Sequence, residues 1–120
     1  MEFSREIDLR DLPPDMQTLL AQFFEEYFQD SNVELPQKLK LYLAPVIPLW
    51  HQIRNEVWDY RGPGHVANFI KSMWRGESIS PIIVRGDQFY DGRHRLWAAK
   101  TLDIEVLEAI DLNDYFTPKI

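Results

Sequence analysis

The chain has 120 residues, enough for one compact domain with an apolar core and too few for a two-domain enzyme. With 45% hydrophobic and 13% aromatic residues the composition is that of a folding chain, and the lack of cysteine excludes disulfides, thiolate metal sites and thiol nucleophiles. A net charge of −6 works against non-specific nucleic-acid binding, and no run has the length or flanks of a secretory signal or a membrane span, so a cytoplasmic location without a membrane partner is expected. The charge is unevenly spread. From Arg61 to Lys100 there are seven basic against three acidic residues, net +4, whereas from Met1 to Pro45 there are four against nine, net −5. An anionic ligand therefore belongs to the later segment.

In chain order, Pro13 and Pro14 suit a first helical turn, and Met16, Leu19, Leu20, Phe23, Phe24, Tyr27 and Phe28 follow at helical spacing, which predicts a helix to about Gln29. Asp30, Ser31 and Asn32 supply turn formers, after which Leu39, Leu41 and Leu43 alternate with Lys40 and Tyr42 as a half-buried strand. Pro45 and Pro48 punctuate the chain before Trp50, Ile53, Val57 and Tyr60, which line one face of a short helix ending before Gly62-Pro63-Gly64. Val66, Phe69, Ile70, Met73 and Trp74 mark a second amphipathic helix that stops at Arg75 and Gly76. Pro81 to Val84 reads as a buried strand, Arg85 to Gln88 as a turn and Phe89-Tyr90 as the returning strand of a hairpin. After Gly92 the chain turns helical through Leu96, Ala99 and Leu102, and Ile104 to Leu112 has the β-branched content of a closing strand. These elements predict an α/β (α+β) domain with a small mixed sheet and surrounding helices over residues 46–120, preceded by an N-terminal helical extension over residues 1–45 that packs on it.

The chemistry concentrates at Asp91-Gly92-Arg93-His94-Arg95. A glycine at a strand-to-helix junction lets backbone approach a ligand, the helix N-terminus offers N–H groups and partial positive charge, and His94 and Arg95 add side-chain donors. The null for the same residues is a glycine that only turns the chain and side chains that pair with carboxylates. Arg93 points away from its neighbours in a helix start and is either a further ligand or simply exposed. Asp91 has two readings, a carboxylate that positions Mg²⁺ or accepts a proton, or a residue that caps the helix or completes a turn. Glu77 and Asp87 read as solvated loop residues, and Lys71, Arg75 and Arg85 as either a basic rim or a solvated face. His51 and His65 lack the paired spacing of a metal site, so no histidine metal centre is expected. Trp97 beside the turn either stacks on a base or packs.

The order strand, turn, strand, Asp-Gly-Arg-His-Arg, helix, strand from Ser80 to Leu112 resembles the ParB/sulfiredoxin superfamily. The resemblance rests on the Pro-Ile-Ile-Val strand at Pro81–Val84, the glycine turn and His-Arg at Gly92–Arg95, Ala98-Ala99 in the following helix, and the helix before the hairpin. It spans roughly Gly62 to Leu112. What it implies is binding of ATP or another nucleoside triphosphate at Gly92, Arg93, His94 and Arg95, with Mg²⁺ and a catalytic role for Asp91 if phosphoanhydride or phosphodiester hydrolysis follows. Sulfiredoxins carry a catalytic cysteine directly before His-Arg, where this chain has Arg93, so that activity is excluded. ParB partition proteins add a helix-turn-helix and a dimerisation region for which this chain has no room. Two further readings stay open: a non-enzymatic nucleotide-responsive adaptor that meets a protein partner or a second copy through the aromatic N-terminal helix, and a bacterial plasmid- or phage-type DNA-binding accessory or nuclease. The overall acidity opposes DNA as a ligand.

Overall fold

The computed structural model describes residues 1–27, 36–55 and 62–115. Among them are five strands, β1 (Glu2–Asp8), β2 (Lys38–Pro45), β3 (Ile82–Arg85), β4 (Gln88–Asp91) and β5 (Val106–Asp111). The helices are α1 (Pro14–Tyr27), α2 (Val46–Ile53), α3 (Gly62–Trp74) and α4 (Arg93–Thr101). The strands form one mixed sheet in the order β1-β2-β5-β3-β4, antiparallel throughout except for the parallel pair of β3 and β5. A parallel pair needs a crossover, and here β4 and α4 supply it. The mixed α and β class that the sequence patterns predict is the class observed.

Each sheet face has its own core. On one face Leu39, Leu41, Ile83 and Ile110 meet Met16, Leu20 and Phe24 of α1, together with Leu12 and Leu112. On the other, Ala44, Ile82, Val84, Leu107 and Ala109 meet Val46, Leu49 and Ile53 of α2 and Leu96 and Ala99 of α4. The period-2 pattern of a strand directs successive side chains to opposite faces. Ile82, Ile83 and Val84 are all without solvent exposure because β3 is covered on both faces, which is why it reads as a continuous apolar run rather than an alternation.

Residues 1–45 contain more than the helix and the strand that their sequence pattern predicts. The segment Glu2–Asp8 shows no clean apolar alternation, yet it pairs with β2 as the edge strand of the sheet. Edge strands carry polar side chains on both faces, so they lack the signal by which strands are recognised. Cross-strand charges accompany its pairing with β2. Glu6 lies opposite Lys40 and Asp8 opposite Lys38, with Lys38 Nζ 3.8 Å from Glu6 Oε1. From β1, Arg5 reaches across β2 to Glu108 of β5, donating from Nε to Oε2 at 2.8 Å and from Nη2 to Oε1 at 2.9 Å, while Ser4 Oγ donates to the same carboxylate at 2.9 Å.

Phe23 packs against Tyr90 and Phe24 against Tyr115, so these two aromatic residues of α1 lie on the domain's own core. Phe28 and Gln29 at the far end of the expected helix lie outside the described residues. Helix α2 begins at Val46, earlier than the apolar spacing indicates, because Pro48 sits in its first turn, where the missing N–H has no intrahelical partner to lose. Val57 and Tyr60, expected on the same helix, lie outside the described residues. No helix among the described residues is long and apolar enough to cross a membrane.

Two measurements check this architecture. Leu20, without exposure in the core between α1 and the sheet, should cost about 2–5 kcal/mol on substitution by alanine. Trp74→Ala, at a side chain 81% exposed, should stay within about 0.5 kcal/mol of wild type in the same urea titration. The second concerns acid. Arg5, then Ser4, hydrogen bonds to Glu108 and hold its carboxyl below the ordinary glutamate range against an opposing effect of partial burial. A folded-state value depressed in this way stabilises the fold above the unfolded value, about 4.3, and that contribution is lost as the pH falls through the lower folded value. Glu108→Gln should therefore flatten the acid limb of stability against pH, while a variant with the wild-type slope below pH ~4 would show that the pair does not contribute.

Candidate functional site

The site is the junction of β4 and α4. Asp91 is the last residue of β4 and pairs with Ile83, so it is fixed in the sheet rather than in a loop. Gly92 follows with φ 111° and ψ 34°, in the left-handed region that disfavours side chains, and its carbonyl accepts the first helical hydrogen bond from Leu96 N–H at 2.9 Å. A Cβ at Gly92 would lie 2.7 Å from Ile82 Cγ2 and 3.2 Å from Arg95 Nη2. Glycine is required here twice over, by conformation and by space.

The three basic residues that follow separate in space. Arg93 is exposed and His94 half-buried at the first turn of α4, while Arg95 is buried, with 8% of its surface exposed, on the helix face it shares with Leu96, Ala98 and Ala99. Arg95 Nη1 donates to the Pro81 carbonyl at 2.9 Å and the Ser80 carbonyl at 3.2 Å, and meets Met16 Sδ at 3.4 Å. Its Nη2 donates to Asp91 Oδ2 at 3.5 Å, a long ion pair one helical turn apart. Burial pushes the pKa of the Arg95 guanidinium down from its ordinary value and the Asp91 charge opposes that shift. Arginine still keeps its proton, since its intrinsic pKa lies far above neutrality.

The expected residues are thus brought together at one junction, but not in one role. Asp91, Gly92 and Arg95 are locked to each other and to the backbone ahead of β3, whereas Arg93 is exposed and His94 half-buried on the first turn of α4. Of the basic residues that could form a wider rim, Arg75 lies 3.8 Å from Glu77, and Arg85 Nε donates to Asn113 Oδ1 at 3.3 Å on the β3 side of the hairpin. Trp97 packs against Trp50 of α2 with ring centroids 6.3 Å apart. Among the described residues no three His, Asp or Glu side chains converge as a metal-binding group.

Sequence reasoning misses Gln52. Its carboxamide Nε2 donates to the Asp87 carbonyl at 2.6 Å and its Oε1 accepts from Phe89 N–H at 2.9 Å, so one side chain stands in for a neighbouring strand along the free edge of β4. Nothing in the spacing of Gln52 announces it, because the contact joins residues 35 and 37 positions apart. The Ser80 and Pro81 carbonyls are also invisible to a side-chain motif, although a proline just ahead of a buried strand is a signal that this backbone is held in a fixed shape.

Comparison of the chain with protein-family models, with curated proteins and with solved structures finds no match.

Chemically, the junction sets a helix N-terminus, a buried guanidinium and the exposed Arg93 beside one partly exposed carboxylate. Gly92→Ala should cost about 2–4 kcal/mol in chemical denaturation, combining left-handed strain with overpacking against Ile82. A cost below about 0.5 kcal/mol would mean that the turn relaxes and is not held by the packing described here.

Proposed function

We propose that the chain is a nucleotide-binding protein that holds the phosphates of a nucleoside triphosphate, ATP or another, at the N-terminus of α4. The observation that carries this reading is the left-handed Gly92 packed without room for a side chain at a strand-to-helix junction, directly before Arg93 and His94. Backbone N–H groups of the first helical turn are the primary ligands, since they point along the helix axis toward the mouth and bring the positive end of the helix dipole with them. Arg93, exposed, and His94, half-buried, on the same turn are the side-chain ligands of this reading. The resemblance of Ser80–Leu112 to the ParB/sulfiredoxin superfamily supports the same ligand class. A nucleoside triphosphate of the cytoplasm is the expected partner, and neither DNA nor a membrane is required.

Binding is favoured over turnover because Asp91, the carboxylate at the junction, faces the Arg95 guanidinium at 3.5 Å with one of its oxygens. Its other oxygen is the one that can join a Mg²⁺ ion carried in by the nucleotide, a role that needs only one protein carboxylate when the phosphates supply the rest. Mg²⁺ bound so would neutralise phosphate charge, and the residues of the turn would orient the chain of phosphates.

Isothermal titration with ATP, CTP and GTP in Mg²⁺ should give saturable binding to at least one of them. Arg93→Ala and His94→Ala should each weaken it roughly tenfold, the value of one charge-assisted hydrogen bond. A product assay with Asp91→Asn beside wild type separates the two outcomes of binding: no product from either protein fits a binding role, and product that Asp91→Asn abolishes makes the chain a hydrolase. Absence of binding to all three nucleotides would overturn the reading and leave the fold as a partner-binding module.

A further inference from the structure

Arg95 differs from every other basic residue at the junction in what surrounds it. The groups it touches come from three separate parts of the chain: Met16 of α1, the Ser80 and Pro81 carbonyls ahead of β3, and Asp91 at the end of β4. Its Nη2 also lies 3.2 Å from the point a Cβ on Gly92 would occupy, so the guanidinium packs directly on the turn glycine. Ser80 and Pro81 also line a cleft of about 440 Å³. A planar fork with donors in fixed directions reaches two carbonyls and a carboxylate at once, which a lysine ammonium on its flexible stem does not reproduce.

We propose that Arg95 is a positioning residue and not a phosphate ligand: its guanidinium ties the backbone ahead of β3 to the end of β4, and so sets the shape in which Gly92, Arg93 and His94 meet an anion. The assignment rests on the phosphate-binding reading of that turn. To touch an anion at the mouth, the guanidinium must leave the Ser80 and Pro81 carbonyls and its place beside Gly92. Pro81 is buried, so its carbonyl would lose a donor where water does not readily replace it. The inward position of Arg95 also explains how one buried positive charge is tolerated beside a helix N-terminus. Its donors are taken by carbonyl oxygens, and Asp91 supplies partial neutralisation.

The test is nitrogen-15 NMR of the full chain, following arginine side-chain N–H signals and backbone amides before and during titration with ATP, CTP and GTP in Mg²⁺. Arg95 should show resolved, slowly exchanging Nη–H signals without any nucleotide, and these should keep their positions while the amides of Gly92, Arg93 and His94 move. Arg95→Lys, which keeps the charge and loses the fork, should shift the Gly92 amide in the nucleotide-free protein and lower affinity at least tenfold. Arg95 signals that are averaged without nucleotide and sharpen only on its addition would overturn the proposal, as would an Arg95→Lys protein with wild-type affinity and an unmoved Gly92 amide. If Arg95→Lys does not fold, the wild-type side-chain signals decide alone. Should no amide respond to any nucleotide, the phosphate-binding reading fails separately, and the nucleotide-free Arg95 signals still show whether the clamp exists.

Discussion

Strand β3 is where the constraints of this fold meet. It has neighbours on both edges, β5 in parallel and β4 in antiparallel, and Ile82, Ile83 and Val84 are sealed from solvent on both faces. Ile83 belongs to the core under α1, while Ile82 and Val84 belong to the core under α2 and α4, so one four-residue strand couples the two apolar layers. The same Ile82 side chain leaves no room for a Cβ on Gly92. The conformation of the turn is therefore a product of core packing, and it exists before any ligand arrives.

The charges of the molecule divide along similar lines. Arg5 with Glu108, Lys38 with Glu6 and Arg10 with Asp8 are ion pairs with at least one well exposed partner, and pairs of that kind contribute little net stability. Their effect is on register. The polar edge strand β1 has few apolar contacts to choose its alignment on β2, and opposite charges at facing positions distinguish the observed pairing from one shifted by a residue. Arg95 is of another kind. It carries its charge into the interior, where its removal would leave carbonyl acceptors behind, so it acts on the shape of the junction rather than on the surface field.

Much of this was legible in the sequence, for identifiable reasons. Helices α1 and α3 and the β3–β4 hairpin carry strong periodicity or a continuous apolar run bounded by turn residues, and all of them stand where those patterns place them. The edge strand β1 was not legible, since polar residues on both faces erase the period, and neither was the early start of α2, since Pro48 reads as a break unless its place in the first turn is known. At the junction, the sequence reading set Arg93 apart as a further ligand or an exposed residue but gave His94 and Arg95 one role as side-chain donors, whereas the fold buries Arg95 and leaves His94 half-buried. Gln52 and the Ser80 and Pro81 carbonyls were beyond that reading, because backbone acceptors carry no residue-type signal and long-range contacts leave none in local spacing.

The division of labour within Arg93-His94-Arg95 nevertheless has a source in the sequence that helical geometry makes readable. Positions three and four apart share a helix face, so a helix that buries Ala98 and Ala99 must also turn position 95 inward, and the buried set Arg95, Leu96, Ala98 and Ala99 follows that rule. Asp91 lies four positions before Arg95 and, though it belongs to the strand, projects from the same side of the junction, which brings the two charges to 3.5 Å. Position 93, by contrast, is on the outward side and is exposed. A basic residue on the apolar face of a helix start cannot face the core and reach outward to a ligand in one conformation. Read with this periodicity, a run of adjacent cations at a helix N-terminus resolves into one that shapes the turn and others that present donors at its mouth, without any of them changing chemical type.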